Sequence, residues 1–273
     1  MPPQIPSAPG LLVEEDARAI VIRIHNPERA NALTDQMLAA IVRHTQRPRR
    51  ELRVIVFTGS GERHFSAGLD LADLEGPELA DRLVRGEELL RAATAAIAAC
   101  PCPVVAAVNG AAIGGALELA VACDWRIAAD TASLGMPAVR LGVVYSPEGL
   151  ARFLAIMGPA RTRELFLTGR PVSAERAQQI GLVDRIVPAA DLAAAIGETV
   201  SDIVRAAPTA VAGTRAAISL LAGAPAPQDA ATIERIRLEA YASEQFTEGL
   251  AAFRERRAPR WAAPADAVEP PPD

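Results

Sequence analysis

The chain has 273 residues, half of them apolar, enough to bury one large core with an appendage. Its net charge of -5 leaves no basic footprint for nucleic acid. All 28 basic residues are arginine, and the absence of lysine excludes Schiff-base chemistry, a lysine-bearing phosphate loop and the Ser-x-x-Lys hydrolases.

The opening MPPQIPSAPG and the tail APRWAAPADAVEPPPD are rich in proline and alanine and are expected to fray. No basic segment followed by an apolar core stands in MPPQIPSAPGLL, so no secretory signal is expected, and the expected location is cytoplasmic. AIVIRIHN (19–26) alternates apolar and polar residues as a strand does. TDQMLAAIVRHTQR (34–47) opens on a cap-like Thr34 and carries helical spacing. LRVIVFTGSG (52–61) is a β-rich run closing on a turn, and a helix follows over about 78–99. The charge-free run from Ala92 to Leu117 is long enough for a membrane span. Pro101, Pro103, Asn109, Gly110, Gly114 and Gly115 divide it, so a buried strand (103–110), a turn and a helix opening at Gly114–Gly115 are expected instead. DWRIAA (124–129) is a further strand. Helical patterns then dominate to Ala206, interrupted by the short strand GLVDRIVP (181–188), and beyond Pro208 the chain reads as helical to the tail. Strands alternating with helices, then helices alone, predict an α/β fold followed by an α appendage.

Cys100, Cys102 and Cys123 are too few for a disulfide framework and lack zinc-ligand spacing, so reduced thiols are expected. His25, His44 and His64 have no mutual metal spacing, and no metal is expected; His64, beside Glu62 and Arg63, reads as a solvated loop residue. No Gly-x-Ser-x-Gly elbow is present, and GAAIGG lacks the Gly-x-Gly-x-x-Gly spacing of a dinucleotide site.

Two glycine-bearing turns each follow an apolar strand: HFSAGLDL (64–71) and NGAAIGGALE (109–118). A helix N-terminus presents unpaired N–H groups, and glycine lets a ligand approach them closely. Facing one another, the two turns would offer one N–H each to a single developing oxyanion, a donor worth about 3 kcal/mol. Tight strand-to-helix packing is the plainer explanation of such glycines taken alone. Glu118 adds to the pattern, a lone carboxylate about one helical turn beyond the Gly–Gly pair among alanines and leucines. Desolvation there raises its pKa and suits it to proton transfer near neutral pH. The alternative is a structural acid paired with an arginine such as Arg126, and spacing does not separate the two.

Taken together these residues resemble the enoyl-CoA hydratase/isomerase family, also called the crotonase superfamily. NPERANAL (26–33) resembles its N-terminal signature, FSAGLDL (65–71) its first oxyanion loop, and NGAAIGGALELAVACDWRIA (109–128) the second loop and helix. GLVDRIVP (181–188) and FTEGLAAFRERR (246–257) are similar to its later strand and C-terminal helix. The resemblance implies a crotonase-like spiral of ββα units followed by a C-terminal helical trimerisation region. Its divisions would be a flexible N-terminus (1–10), the α/β core (11–206), the helical oligomerisation region (207–257) and a flexible tail (258–273).

The same resemblance implies that the backbone N–H groups of Leu69 and Gly115 hold a thioester carbonyl as it becomes an enolate. It places Arg29, Ser66 and Ala67 near coenzyme A, and Phe253 and Arg256 on a helix that contacts it across a subunit boundary. Coenzyme A would arrive as part of an acyl-CoA or enoyl-CoA substrate, with no cofactor held permanently and neither nucleic acid nor membrane as partner. Homotrimers or dimers of trimers are implied. Glu118 matches one of the hydratases' two catalytic glutamates, but the second falls on Ala138. Tyr145 matches a tyrosine of the methylmalonyl-CoA decarboxylase branch; its alternative is a packed aromatic. Ser146 sits near an aspartate of some isomerases and dehalogenases. Glu148 is either a carboxylate reaching the pocket or a first-turn helix acid. The expected activity is that of a lyase, enoyl-CoA hydratase-like, with Glu118 as a single acid/base. The alternatives are a CoA-thioester decarboxylase, a double-bond isomerase or a non-catalytic acyl-CoA-binding member.

Overall fold

The computed structural model describes residues 8–16, 18–46, 51–71, 79–222 and 227–261. In chain order it runs β1 (Gly10–Glu15), β2 (Ala19–His25), α1 (Asp35–Gln46), β3 (Val54–Gly59), β4 (His64–Ser66), α2 (Leu79–Ala98), β5 (Val104–Val108), β6 (Ala111–Ile113), α3 (Gly115–Ala122), β7 (Trp125–Ala129) and β8 (Ser133–Gly135). It continues through α4 (Pro147–Thr168), β9 (Val172–Ser173), α5 (Ala174–Gln179), β10 (Arg185–Val187), α6 (Leu192–Arg205), α7 (Pro208–Ala222), α8 (Pro227–Tyr241) and α9 (Glu244–Glu255).

Six strands form one sheet in the order β1-β2-β3-β5-β7-β10, parallel except for the β1–β2 pair. A smaller sheet, β4-β6-β8-β9, continues the chain directly out of the ends of β3, β5 and β7. Strand periodicity divides the core between two faces. Ile55 and Phe57 of β3, with Val104 and Ala106 of β5, join the larger core that also takes Ile20, Ile22 and Ile24 of β2. Val54, Val56, Val105 and Ala107 face the other way, onto Leu192 and Ala195 of α6. The sheet is thus buried on both faces, as parallel sheets require.

Where the two sheets meet, backbones come too close for side chains. A Cβ on Gly59 would lie 2.2 Å from the His64 carbonyl oxygen, and one on Gly110 would lie 2.3 Å from that of Arg63. Asn109 joins the strand ends: its Oδ1 accepts from Gly59 N–H at 2.9 Å and its Nδ2 donates to the Gly61 carbonyl at 2.7 Å. Buried Asn31 donates to the Ser60 and His64 carbonyls at 2.9 and 2.8 Å, tying the loop after β2 to the same junction.

The strands and helices read from the sequence lie where expected, to within a few residues. β1, which begins at Gly10 inside the segment read as fraying, was not legible, and neither were the two- to three-residue strands of the smaller sheet. Past the core, Trp261 Nε1 donates to the Arg205 carbonyl at 2.8 Å, while 1–7 and 262–273 fall outside the described residues. Arg215 on α7 anchors the C-terminal helices. Its Nε contacts both Asp124 oxygens at 2.9 Å, and its other nitrogens donate to the Cys100 and Ile97 carbonyls.

The structure corrects the possible pairing of Arg126 with Glu118. Arg126 is 4% exposed and turns instead to Asp184 Oδ2 at 2.7 Å, to the Leu182 carbonyl at 2.9 Å and to the Cys123 carbonyl at 3.1 Å. Replacing Arg126 with Ala leaves two carbonyls without their donor and breaks the ion pair. Denaturant titration should show a loss of about 3 kcal/mol, and a loss below about 1 kcal/mol would mean that water takes over its contacts.

Candidate active site

The two predicted turns meet. Gly68 has φ +94°, and a Cβ there would lie 2.7 Å from the Ile113 carbonyl oxygen and 3.2 Å from the Gly115 nitrogen. Only a glycine in this left-handed conformation lets the loop after β4 touch the start of α3. The first loop is pinned by a short bridge to Leu33, whose N–H donates to the Gly68 carbonyl at 2.7 Å while its carbonyl accepts from Asp70 N–H at 3.0 Å. The second is pinned at Gly114, φ +58°, whose N–H donates to the Gly135 carbonyl at 2.9 Å. The residues between these anchors, Leu69 and Gly115, keep N–H groups that find no acceptor among the described residues. Gly115 opens α3, so its N–H sits at the positive end of the helix dipole.

Both loops line one predominantly apolar cleft with about 780 Å³ of empty space, counting its open mouth. Glu118 lies in its wall, one turn into α3 and 4% exposed. The hydroxyl of Tyr145, also in the wall, donates to Glu118 Oε2 at 2.6 Å. Burial pushes the Glu118 carboxyl above the usual carboxylate range; the Tyr145 hydrogen bond and the charge of Arg152 oppose that, and the charges of Glu148 and Glu87 add to it. The Tyr145 phenol is pushed up as well, first by burial and then by the adjacent carboxylate. A buried carboxyl with a raised pKa, in the same cleft as two N–H donors, can exchange a proton with a carbon next to a polarised carbonyl.

Tyr145 is both packed and polar. Its ring meets Phe166 edge-on at 5.3 Å, and a Cβ on Gly149 would press within 2.5 Å of it. Ser146 caps α4 by accepting from Gly149 N–H at 3.2 Å, which holds Tyr145 at the helix entrance. Ala138, in a short 3-10 turn over Pro137–Leu141, lines the cleft as well.

The remaining expected residues divide. Ala67 lines the cleft; Ser66 is buried behind it, its Oγ accepting from Gly68 N–H at 3.2 Å. Arg29 is exposed and pairs with Asp70 at 3.0 Å, outside the lining. Glu148 is exposed on the first turn of α4 and is not among the lining residues. Arg256 is exposed just past α9, away from that lining, and the side chain of Phe253 falls outside the described residues. Sequence reasoning missed Glu87 and Arg91 of α2, which share the cleft wall with Leu83 and Leu90. Their i, i+4, i+7, i+8 spacing marks one helix face, but nothing local says what that face looks at.

A family model described as enoyl-CoA hydratase/isomerase matches residues 14–264. The chain belongs to the enoyl-CoA hydratase/isomerase family. Among curated members, it is 34% identical over 255 residues to a probable enoyl-CoA hydratase, echA8, of Mycobacterium tuberculosis, covering 92% of this chain and 97% of that one. It is 38% identical over 218 residues to the carnitinyl-CoA dehydratase of Salmonella typhi, covering 77% and 82%. Among solved structures of the fold, an enoyl-CoA hydratase/carnithine racemase from Magnetospirillum magneticum superposes with a TM-score of 0.85 at 30% identity, covering 93% and 96%. The chain thus has the crotonase fold, with helices α6 to α9 following the sheets. No helix among the described residues is long and apolar enough to cross a membrane, and no group of three metal-ligating side chains occurs among them.

Removing the Tyr145 hydroxyl takes away the hydrogen bond that lowers the Glu118 pKa, so Tyr145→Phe should move the titration of that carboxyl to higher pH. The pH dependence of its carbon-13 resonance checks this; a titration that stays in place would mean the hydroxyl does not stabilise the ionised carboxyl.

Proposed function

We propose that this family member is an enoyl-CoA hydratase-like enzyme acting on an acyl-CoA thioester. One observation carries the reading: a buried carboxyl, Glu118, stands in the same apolar cleft as the N–H groups of Leu69 and Gly115, which have no acceptor among the described residues. A thioester carbonyl placed between those donors becomes an enolate as charge develops on its oxygen. Two preorganised donors stabilise that charge without reorganising at the moment of reaction. Glu118 gives or takes the proton at the neighbouring carbon, and Tyr145 keeps its carboxyl oriented. The names of the relatives, an enoyl-CoA hydratase and a carnitinyl-CoA dehydratase, support the substrate class.

Coenzyme A enters with the substrate in this reading. Arg29, Ser66 and Ala67 would border it from the first loop, and Phe253 with Arg256 would reach it from a neighbouring copy in a homotrimer or a dimer of trimers. Ala138 and Tyr145 favour one second reading, decarboxylation or double-bond isomerisation, since either needs an enolate site but no water-activating carboxylate.

Four measurements test the proposal. With crotonyl-CoA as substrate, Glu118→Gln should lower turnover by about 10²-fold or more. Carbon dioxide release from a malonyl-type CoA by the unmodified enzyme, without hydration of crotonyl-CoA, would select the second reading. α-Proton exchange of a saturated acyl-CoA in deuterated water separates both from a binding protein, which would show none. Gly68→Ala should drive the Leu69 loop away from Gly115, lower the thermal midpoint through its strained backbone, and cost about 10²-fold in kcat of the folded enzyme; unchanged kcat would remove Leu69 from the oxyanion site.

A further inference from the structure

Two further charged side chains line the cleft, and both come from α2. The face that carries Leu83, Glu87, Leu90 and Arg91 packs on the two N–H positions. A Cβ on Gly115 would lie 2.8 Å from Leu90 Cδ2, and one on Gly86 would lie 3.5 Å from Leu69 Cδ1. Glu87 sits between these two contacts along the helix and opens into the cleft. Its carboxylate makes no hydrogen bond or ion pair with any described residue, whereas Asp35 near the same helix is paired with Arg85. The charge of Glu87 reaches both members of the Tyr145–Glu118 pair and pushes each toward its protonated form. A solvent-exposed carboxyl group, Glu87, and a buried one, Glu118, lining the same cleft supply the two proton-transfer groups that hydration needs.

We propose that Glu87 is the second catalytic carboxylate of this enzyme, taking the proton of the attacking water in place of the carboxylate that Ala138 lacks. The inference rests on the hydratase-like reading of the cleft. Water oxygen bonds to the β-carbon of the enoyl group as one water proton passes to Glu87. The π electrons move into the thioester, whose oxygen becomes the enolate facing Leu69 and Gly115. The enolate returns its electron pair to the α-carbon, which takes the proton of the Glu118 carboxyl. The proton on Glu87 returns to Glu118 through solvent, and one water has been added. The site is thereby rebuilt from a different element: the base comes from α2 rather than from the turn at 137–141. Arg91, one turn along α2, gives the same wall a positive charge with no acidic partner within salt-bridge reach among the described residues.

The test uses the full chain with crotonyl-CoA for hydration and butyryl-CoA in deuterated water for α-proton exchange. Glu87→Gln should lower kcat for hydration by about 10²-fold or more, with KM within about threefold. Exchange, which asks only for Glu118 and the two N–H donors, should stay within about threefold of the unmodified enzyme. Adding Ala138→Glu to that variant should restore hydration by about tenfold or more, a rescue that a merely structural role for Glu87 would not permit. Full hydration by Glu87→Gln would overturn the proposal and leave the hydratase reading intact. Hydration and exchange falling together would also overturn it, since Glu87 would then act through Glu118. An unmodified enzyme that neither hydrates crotonyl-CoA nor exchanges the α-proton would instead sink the hydratase reading itself.

Discussion

The contact between the loop after β4 and the start of α3 is the constraint on which the rest depends. Two backbone N–H groups can point at one oxygen only if their chains approach to backbone distance. Side chains forbid that at Gly68, where a Cβ would already lie 2.7 Å from a carbonyl oxygen. The same demand recurs one layer back at Gly59 and Gly110, where the larger sheet passes into the smaller one. A succession of glycine contacts therefore runs from the sheet junction to the site. The asparagines at 31 and 109 satisfy the backbone groups that the tight passage would otherwise leave unpaired. Rigidity follows from this arrangement, and preorganised donors need rigidity to act on developing charge.

Against that frame the chain places a carboxyl in an apolar wall. Burying an ionised carboxylate is costly, and that cost shifts a carboxyl so placed toward its protonated form. The Tyr145 hydroxyl moderates the effect, giving Glu118 a hydrogen-bond partner through its ionised as well as its protonated form. Tyr145 is held in turn by Phe166, Gly149 and the capped entrance of α4. The aromatic packing and the polar contact are not competing descriptions of this residue: the first fixes the ring so that the second can be short.

The C-terminal helices are attached through Arg215, whose guanidinium joins α7 to Asp124 and to the carbonyls that end α2. Asp124 also accepts from Val104 N–H at 2.7 Å, so one side chain holds the start of β5, the approach to β7 and the appendage. Arg126 does the equivalent for β10 through Asp184. In a chain without lysine, these buried junctions use the planar fork of arginine, which donates to several acceptors at once.

Much of this was legible in the sequence. The alternating run at 19–26, the β-rich run at 52–61, the helical stretches at 34–47 and 78–99, and the glycine-punctuated segment at 109–124 locate the main elements. The lone carboxylate behind Gly114–Gly115 and the two glycine turns are local features too. The strands β4, β6, β8 and β9 were not legible, since two or three residues are too few to show a period. β1 pairs at a sheet edge and is at best half-buried, so its pattern is weak. What the sequence by itself determined is which residues are apolar, which are unusual and where the chain must turn. Only the tertiary structure decided what meets what. Arg126 pairs with Asp184, 58 residues away, rather than with Glu118; Tyr145 comes to Glu118 from 27 residues downstream; and the α2 face bearing Glu87 opens on the cleft. Those pairings are set by how helices and strands pack, and packing joins residues that no local period connects.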